Sequence, residues 1–140
     1  VPQLAGTTWR AQVPGVVEQA LEEVEQADVL VVVTPVFRGS YTGMFKHFFD
    51  LIHQDALIDK PILLAATGGS QRHALMIDHQ LRPLFSFFQA RTLPLGVYAT
   101  DSDFESHRLH SAALLERAQL SVDRALPVIE LICRAPAVTP

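Results

Sequence analysis

The sequence predicts an α/β fold in which helices cover both faces of a doubly wound parallel sheet, giving three α/β/α layers. Helical and strand-like segments alternate along the chain in the order α-β-α-β-α-β-α. The strand-like segments are short, β-branched and apolar at successive positions, which is typical of strands that are buried on both faces. The 140 residues suit one domain, residues 1–140.

The first helix is predicted to begin at Pro14, because the first helical position needs no N–H. Apolar side chains then recur at the helical spacing i, i+3, i+4 and i+7, at Val17, Ala20, Leu21 and Val24. An apolar run over residues 29–34 predicts a central strand that Pro35 ends. The following helix carries an apolar face formed by Phe45, Phe48, Phe49 and Ile52.

Two further strands are predicted over residues 61–66 and 93–99. The helix between them has an apolar face formed by Ile77, Leu81, Leu84, Phe85 and Phe88. The last helix is expected to turn Leu114, Ala118, Val122, Ala125, Ile129 and Ile132 inward. Three strands are fewer than the roughly five that are usual in such a sheet. Because the pattern also starts on a helix, we expect an N-terminal β-α-β unit of about forty residues to be missing from this numbering.

Charge and composition exclude several classes of protein. The formal net charge is −4, with 11 basic and 15 acidic residues interspersed, so there is no basic stripe of the kind that binds nucleic acid. Cys133 is the only cysteine, which excludes an internal disulfide. The longest aliphatic run, residues 29–33, is far shorter than the roughly 18 residues of a membrane span. We expect a cytoplasmic protein that binds neither nucleic acid nor a membrane, and the histidine spacing predicts no metal site.

Two loops are expected at the carboxyl edge of the sheet, where ligands bind in open α/β folds. They cover residues 34–43 and 67–73 and combine small residues, hydroxyl groups and free backbone N–H groups. Gly68 and Gly69 have no side chain, so a flat polar ring can approach the main chain closely. The N–H groups can stabilise a ring that gains negative charge on reduction. The alternative is that both loops are ordinary turns joining a strand to a helix.

A family resemblance appears in these same loops. Residues 34–51, Thr-Pro-Val-Phe-Arg-Gly-Ser-Tyr-Thr-Gly-Met-Phe-Lys-His-Phe-Phe-Asp-Leu, resemble the signature of the NAD(P)H-dependent FMN reductases. The match is closest to the reductase of two-component alkanesulfonate and methanesulfonate monooxygenase systems. A second segment, which runs from Ala66 through the Leu81-Arg82-Pro83-Leu84 sequence, is similar to the same group. The resemblance covers nearly the whole chain.

The resemblance implies a flavodoxin-like fold that uses FMN together with NADPH or NADH. It also implies an FMNH2-dependent monooxygenase as partner and a homo-oligomer, either a dimer or a tetramer. The residues implied to border the isoalloxazine are Pro35, Val36, Phe37 and Arg38, with Ser40 and Tyr41 closing the pocket. Those implied on the pyrimidine side of the ring are Gly68, Gly69 and Ser70, with His73 nearby. The family's serine-rich phosphate loop has no matching segment here. Since the cofactors carry the hydride chemistry, no catalytic side chain is assigned.

Pro83 lies inside an otherwise continuous helical pattern, where its ring would clash with the carbonyl of His79, four residues earlier. The helix can avoid this clash by widening one turn into a π-bulge. In the resembling sulfonate-system reductases, a one-residue insertion occurs at the position of His79, in a helix that lines the tetramer interface beside the flavin. We therefore expect His79 at a subunit interface, where it affects flavin retention or transfer. The alternative is a plain proline kink with His79 on a solvated face.

Other functions remain open on the same fold. One is a quinone or azo reductase with tightly bound FMN, which would show ping-pong kinetics where the FMN reductase shows ternary-complex kinetics. Another is a flavodoxin-type electron carrier, although such carriers tend to be strongly acidic and the net charge here is −4. The last alternative is a protein with this fold that binds no flavin, because a fold does not dictate a function.

Overall fold

A parallel sheet of four strands lies at the centre of the computed structural model, which describes residues 2–4 and 6–134. The strands are β1 (Leu30–Pro35), β2 (Pro61–Gly68), β3 (Arg91–Thr92) and β4 (Val97–Thr100). β1 pairs with β2 in a register that runs from Leu30 opposite Ile62 to Pro35 opposite Thr67. β3 and β4 pair one after the other with β2 along its opposite edge. The carboxyl ends of β1, β2 and β4 therefore lie at one edge of the sheet.

Helices cover both faces of this sheet. They are α1 (Gly15–Gln26), α2 (Gly43–Asp50), a π-helical turn (Ile77–Leu81) that leads into α3 (Arg82–Phe87), and α4 (Ala112–Arg134). A short antiparallel hairpin, β5 (Phe104–Glu105) and β6 (Arg108–Leu109), precedes α4. Short 3-10 turns occupy Pro2–Leu4, Arg10–Gln12, Gln71–His73 and Asp101–Asp103. The predicted three-layer α/β/α arrangement with a parallel sheet is confirmed.

The larger core lies between the sheet and the first three helices. Its most buried side chains come from α1, β2, the π-helical turn and α3, and include Val17, Leu21, Ile62, Leu64, Leu81 and Phe85. The rings of Phe49 and Phe85 meet edge to face with centroids 4.9 Å apart, which joins α2 to α3. The apolar faces predicted for these helices are confirmed.

A smaller core lies under α4 and is formed by Leu63, Leu93 and Ala125. The prediction that Val122 faces inward is wrong, because its side chain is 44 % exposed. Ser121 is buried in its place, and its hydroxyl donates a 2.6 Å hydrogen bond to the carbonyl oxygen of Leu95. A hydroxyl can be buried when it has such a hydrogen-bond partner. The pattern of apolar residues does not predict a buried serine, because serine is polar.

The prediction that the first strand is buried on both faces is also wrong for the described residues. Val32 and Thr34 are buried, whereas Val31 is 68 % exposed and Val33 is 57 % exposed. Their register partners, Leu63 and Ala65, share the α4 face of the sheet. α4 packs mainly over β2 and β4, and on this face the side chains of β1 are exposed.

The third predicted strand, residues 93–99, is divided into two. β3 ends at Thr92 and β4 begins at Val97, and Leu93 keeps one ladder bond by donating to the Ile62 carbonyl oxygen at 2.8 Å. Pro94 cannot donate to the ladder, so the chain leaves the sheet before it resumes.

The predicted widening of the helix before Pro83 is confirmed. The N–H of Arg82 donates to the carbonyl oxygen of Ile77, five residues earlier, and residues Ile77–Leu81 form the π-helical turn. α3 then restarts with Pro83 in its first turn, where a missing N–H costs nothing. The alternative of a plain proline kink is therefore wrong, and His79 is exposed on the surface of this chain.

Candidate functional site

A crevice opens at the carboxyl edge of the sheet, between the turn that follows β1 and the turn that follows β2. It has a volume of about 550 Å³ and is lined by Val36, Arg38, Gly39, Gly69, Ser70 and His73. All of these except Gly39 were predicted to bind a cofactor. The two loops chosen from the sequence therefore face each other across one space.

The turn after β1 is a tight two-residue turn. Phe37 and Ser40 exchange two backbone hydrogen bonds, with N···O distances of 2.8 and 3.1 Å. Arg38 and Gly39 lie between them with φ values of 52° and 84°, as a type I′ turn requires. A positive φ is uncommon for a residue with a side chain, and such strain concentrates at ligand-binding sites. This strained turn forms one wall of the crevice.

Backbone donors are available on both walls. Within residues 2–4 and 6–134, no group accepts a hydrogen bond from the N–H of Arg38, Gly39 or Ser70. Backbone N–H groups are strong donors that are seldom left without a partner away from water. Three residues that line the crevice therefore have backbone donors available, which is the kind of group that suits a flat ring with a polar, electron-accepting edge.

The turn after β2 is built by close packing. The N–H of Val36 donates to the carbonyl oxygen of Thr67 at 2.7 Å, which continues the β1–β2 ladder into the crevice. A Cβ atom on Gly68 would lie 2.2 Å from the hydroxyl oxygen of Tyr98 and 3.4 Å from Cβ of Val36. Position 68 must therefore be glycine, because Tyr98 approaches it too closely for a side chain to fit. Gly68 itself does not line the crevice.

Tyr98 is a residue of this site that the sequence analysis missed. Its hydroxyl donates a 2.8 Å hydrogen bond to the carbonyl oxygen of Ser70. Burial raises the pKa of the Tyr98 phenol, so the hydroxyl keeps its proton at neutral pH. Its place on the third predicted strand was visible in the sequence, but its pairing with Ala66 on the neighbouring strand was not.

Four other predicted site residues do not line the crevice: Pro35, Phe37, Ser40 and Tyr41. Pro35 ends β1 at the crevice mouth, and Phe37 is 61 % exposed. Ser40 points away from the crevice turn, and its hydroxyl bonds to Gln80. Tyr41 does not line the crevice: its ring stacks at a tilt against Phe45, with centroids 5.6 Å apart, and borders a second cavity. Tyr41 comes directly before Thr42, the N-cap of α2, and its ring packs against Phe45 of that helix and not against the crevice.

This second cavity, of about 960 Å³, lies between α2, α3 and the N-terminal segment. Its lining is largely aromatic and apolar, with Trp9, Tyr41, Phe87 and Phe88 among the contributors. Its cations already have partners, because Arg10 bonds to Glu18 and Glu25 and Lys46 bonds to Asp50. Its two cationic side chains are therefore already paired, although the cavity is larger than the crevice.

No group of three or more His, Cys, Asp or Glu side chains among the described residues could hold a metal ion. Over the same residues, no helix is both long enough and apolar enough to cross a membrane.

Comparisons with known proteins show the family to which this chain belongs. The NADPH-dependent FMN reductase family matches residues 2–105. A relative named NADH-dependent FMN reductase SfnE, from Pseudomonas putida, is 61 % identical over 125 residues, which are 89 % of this chain and 67 % of the relative. An oxidoreductase structure from Corynebacterium diphtheriae has 39 % identity and a TM-score of 0.77, covering 94 % of this chain and 70 % of that one.

The fold itself is confirmed as flavodoxin-like. A flavodoxin, WrbA-like protein from Agrobacterium tumefaciens aligns with a TM-score of 0.64 at 20 % identity, over 81 % of this chain and 73 % of that one. At this identity the likeness shows the fold alone. The family match and the 61 % identical relative also show the family. The chain therefore belongs to the NADPH-dependent FMN reductase family.

Proposed function

We propose that this protein transfers hydride from NADPH or NADH to FMN and supplies the reduced flavin to a separate FMNH2-dependent monooxygenase of the sulfonate-desulfonating type. The observation that carries the proposal is the crevice between the β1 and β2 turns. This space of about 550 Å³ is lined by Arg38, Gly39 and Ser70, whose N–H groups have no hydrogen-bond partner among the described residues. Family membership makes FMN the natural occupant.

The residues present fit the polar edge of a flavin ring. FMN supplies the hydride-accepting ring when it is bound, and the protein supplies orientation and electrostatics. The N–H groups of Arg38, Gly39 and Ser70 would hold the ring edge and stabilise the negative charge that it gains. Val36 provides an apolar wall, and His73 and the Ser70 hydroxyl provide further polar contacts. No side-chain acid or base is needed for these roles.

The nucleotide, the assembly and the compartment belong to the same proposal. The matched family is described as NADPH-dependent and the Pseudomonas putida relative as NADH-dependent, so both nucleotides are candidates. We propose a homo-oligomer, either a dimer or a tetramer, with His79 at a subunit interface, and a cytoplasmic location.

The test is NADH and NADPH oxidation by the purified full-length protein with and without added FMN. The proposal predicts oxidation that depends on FMN, with ternary-complex kinetics and flavin that is lost on gel filtration. No FMN-dependent turnover with either nucleotide would contradict it. Ping-pong kinetics with a quinone or an azo dye, with flavin retained, would instead favour a reductase that holds FMN tightly.

A matched pair of variants tests whether the crevice is the site. A Cβ atom added at Gly69 meets no atom within 4 Å, and Gly69 lines the crevice. Gly69→Leu should therefore fill the crevice and weaken FMN binding without lowering the melting temperature. Gly15→Leu adds the same side chain at an equally open position on α1 and should leave FMN binding unchanged. Equal FMN affinity in both variants would place the flavin elsewhere.

A further inference from the structure

Gly68 lies between Val36 and the Tyr98 ring at the carboxyl edge of the sheet. In the β2–β4 register Tyr98 pairs with Ala66, two residues before Gly68, and a Cβ on Gly68 would lie 3.4 Å from Cβ of Val36. The Tyr98 hydroxyl oxygen and Cζ would lie 2.2 and 3.2 Å from a Cβ on Gly68. The phenol thus passes through the space that a side chain at position 68 would occupy, and it reaches the turn beyond β2.

The phenol holds the main chain of Ser70 at the end of this path. Its hydroxyl lies 2.8 Å from the Ser70 carbonyl oxygen, and the other donor to that oxygen, the N–H of His73, lies at 3.5 Å. The shorter bond is the stronger one, because hydrogen-bond strength falls steeply with distance. Ser70 also lines the crevice, and its own N–H has no partner among the described residues. One side-chain bond therefore fixes the position of a predicted flavin contact.

We propose that Tyr98 is a positioning residue for FMN, whose hydroxyl holds the Gly69–Ser70 turn in the shape that receives the flavin ring. The inference rests on the proposed function, because it assumes that the crevice binds FMN. Tyr98 does not itself line the crevice. It acts through Ser70, and Gly68 is the residue that makes room for it.

The direct test is Tyr98→Phe, which keeps the ring and removes only the hydroxyl. Loss of the bond leaves the Ser70 carbonyl without its main donor, so the dissociation constant and the KM for FMN should rise about tenfold. The kcat at saturating FMN and the KM for the nicotinamide nucleotide should change by less than about twofold, because the reacting groups are those of the cofactors. An unchanged FMN affinity in Tyr98→Phe would overturn the inference.

Ser121→Ala is the matched control for loss of a buried hydroxyl. Ser121 also donates to a backbone carbonyl, that of Leu95, but it lies on α4 under the opposite face of the sheet. Both variants should lower the melting temperature, and only Tyr98→Phe should weaken FMN binding. If Ser121→Ala weakens FMN binding equally, the effect of Tyr98→Phe is general destabilisation and the positioning role is lost.

A double variant tests the steric part of the inference. Gly68→Ala in the wild-type background places a methyl group against the Tyr98 hydroxyl, and it should displace the phenol and weaken FMN binding. In the Tyr98→Phe background the closest remaining contacts are those at 3.2 and 3.4 Å, so the added methyl group should cost much less. Additive effects of the two substitutions would show that the hydroxyl and position 68 do not share this space.

These outcomes separate the inference from the proposed function. A wild-type protein that neither binds FMN nor oxidises NAD(P)H in its presence defeats the proposed function. A wild-type protein that does both, together with a Tyr98→Phe variant of equal FMN affinity, defeats only the role of Tyr98.

Discussion

The hydroxyl of Ser40 donates a hydrogen bond to the side-chain oxygen of Gln80 over 3.2 Å. Ser40 closes the tight turn that forms one wall of the crevice, and Gln80 lies in the π-helical turn. An inserted residue turns every later side chain by about 100° relative to an uninterrupted α-helix. The π-helical turn therefore determines that the side chain of Gln80 faces Ser40. The hydrogen bond between them connects this turn to the candidate flavin site.

Ser40→Ala and Gln80→Ala should each raise the KM for FMN about two- to threefold, because a single exposed hydrogen bond contributes about 0.5 kcal/mol. The double variant should be no worse than either single variant, since both remove the same bond. Gln119→Ala removes a comparable exposed bond to Asp123 on α4 and serves as the control. Additive losses in the double variant would show that the two side chains act separately.

His79→Ala should weaken self-association and speed the release of FMN, as measured by sedimentation velocity and flavin fluorescence. The expectation combines the exposure of His79 with its place in the π-helical turn. His107→Asn is the control, because His107 is an exposed residue with φ 62° that asparagine tolerates. Identical sedimentation of the wild type and the His79 variant would remove His79 from the interface.

Glu25 should make the protein sensitive to acid. Burial raises the pKa of its carboxyl, but hydrogen bonds from Arg10 and from the His53 N–H outweigh burial and hold the pKa below its usual 4.5. A depressed folded-state pKa gives stability that is present above pH 4.5 and is lost as the pH falls through the folded value. When the melting temperature is measured from pH 7 downward, it should begin to decrease once the pH is below 4.5.

Glu25→Gln should be less stable than the wild type at pH 7, by about 1–2 kcal/mol, and should lose less stability on acidification. Arg10 joins Glu18, Glu25 and the Leu51 carbonyl oxygen, so the substitution also loosens the N-terminal segment. Glu22→Gln, at an exposed position on the same helix, is the control. Parallel pH curves for the wild type and Glu25→Gln would contradict this account.

Gly96→Ala should destabilise the protein by about 1–3 kcal/mol. A Cβ at this position would lie 2.7 Å from Cγ2 and 3.0 Å from Cδ1 of Ile77, the first residue of the π-helical turn. Gly15→Ala meets no atom within 4 Å and should be neutral or slightly stabilising. Chemical unfolding of the two variants gives the comparison, and equal midpoints would show that the Ile77 side chain moves aside without cost.

Local patterns were enough to predict the layers, the helix faces and the two loops of the site. Pro35 and Gly68 end two apolar runs, and parallel strands place both ends at one edge, so the loops after them had to meet. Pro83 likewise predicted a widened turn, because a proline ring and an intact i to i−4 ladder exclude each other at that point.

Other features depend on which elements pack together. Tyr98 reaches Ser70 only because β4 pairs with β2 in one register, and no local signal sets the register of strands joined by a helical crossover. Val31 and Val33 are exposed because α4 lies over the neighbouring strands. The sequence by itself determined the class of fold and the two walls of the crevice, since these follow from short-range steric and apolar patterns, and the resemblance of residues 34–51 to known reductases gave the family. Only the tertiary structure decided that Tyr98 supports the crevice and that Tyr41 leaves it, because contacts between residues far apart in sequence are made by packing.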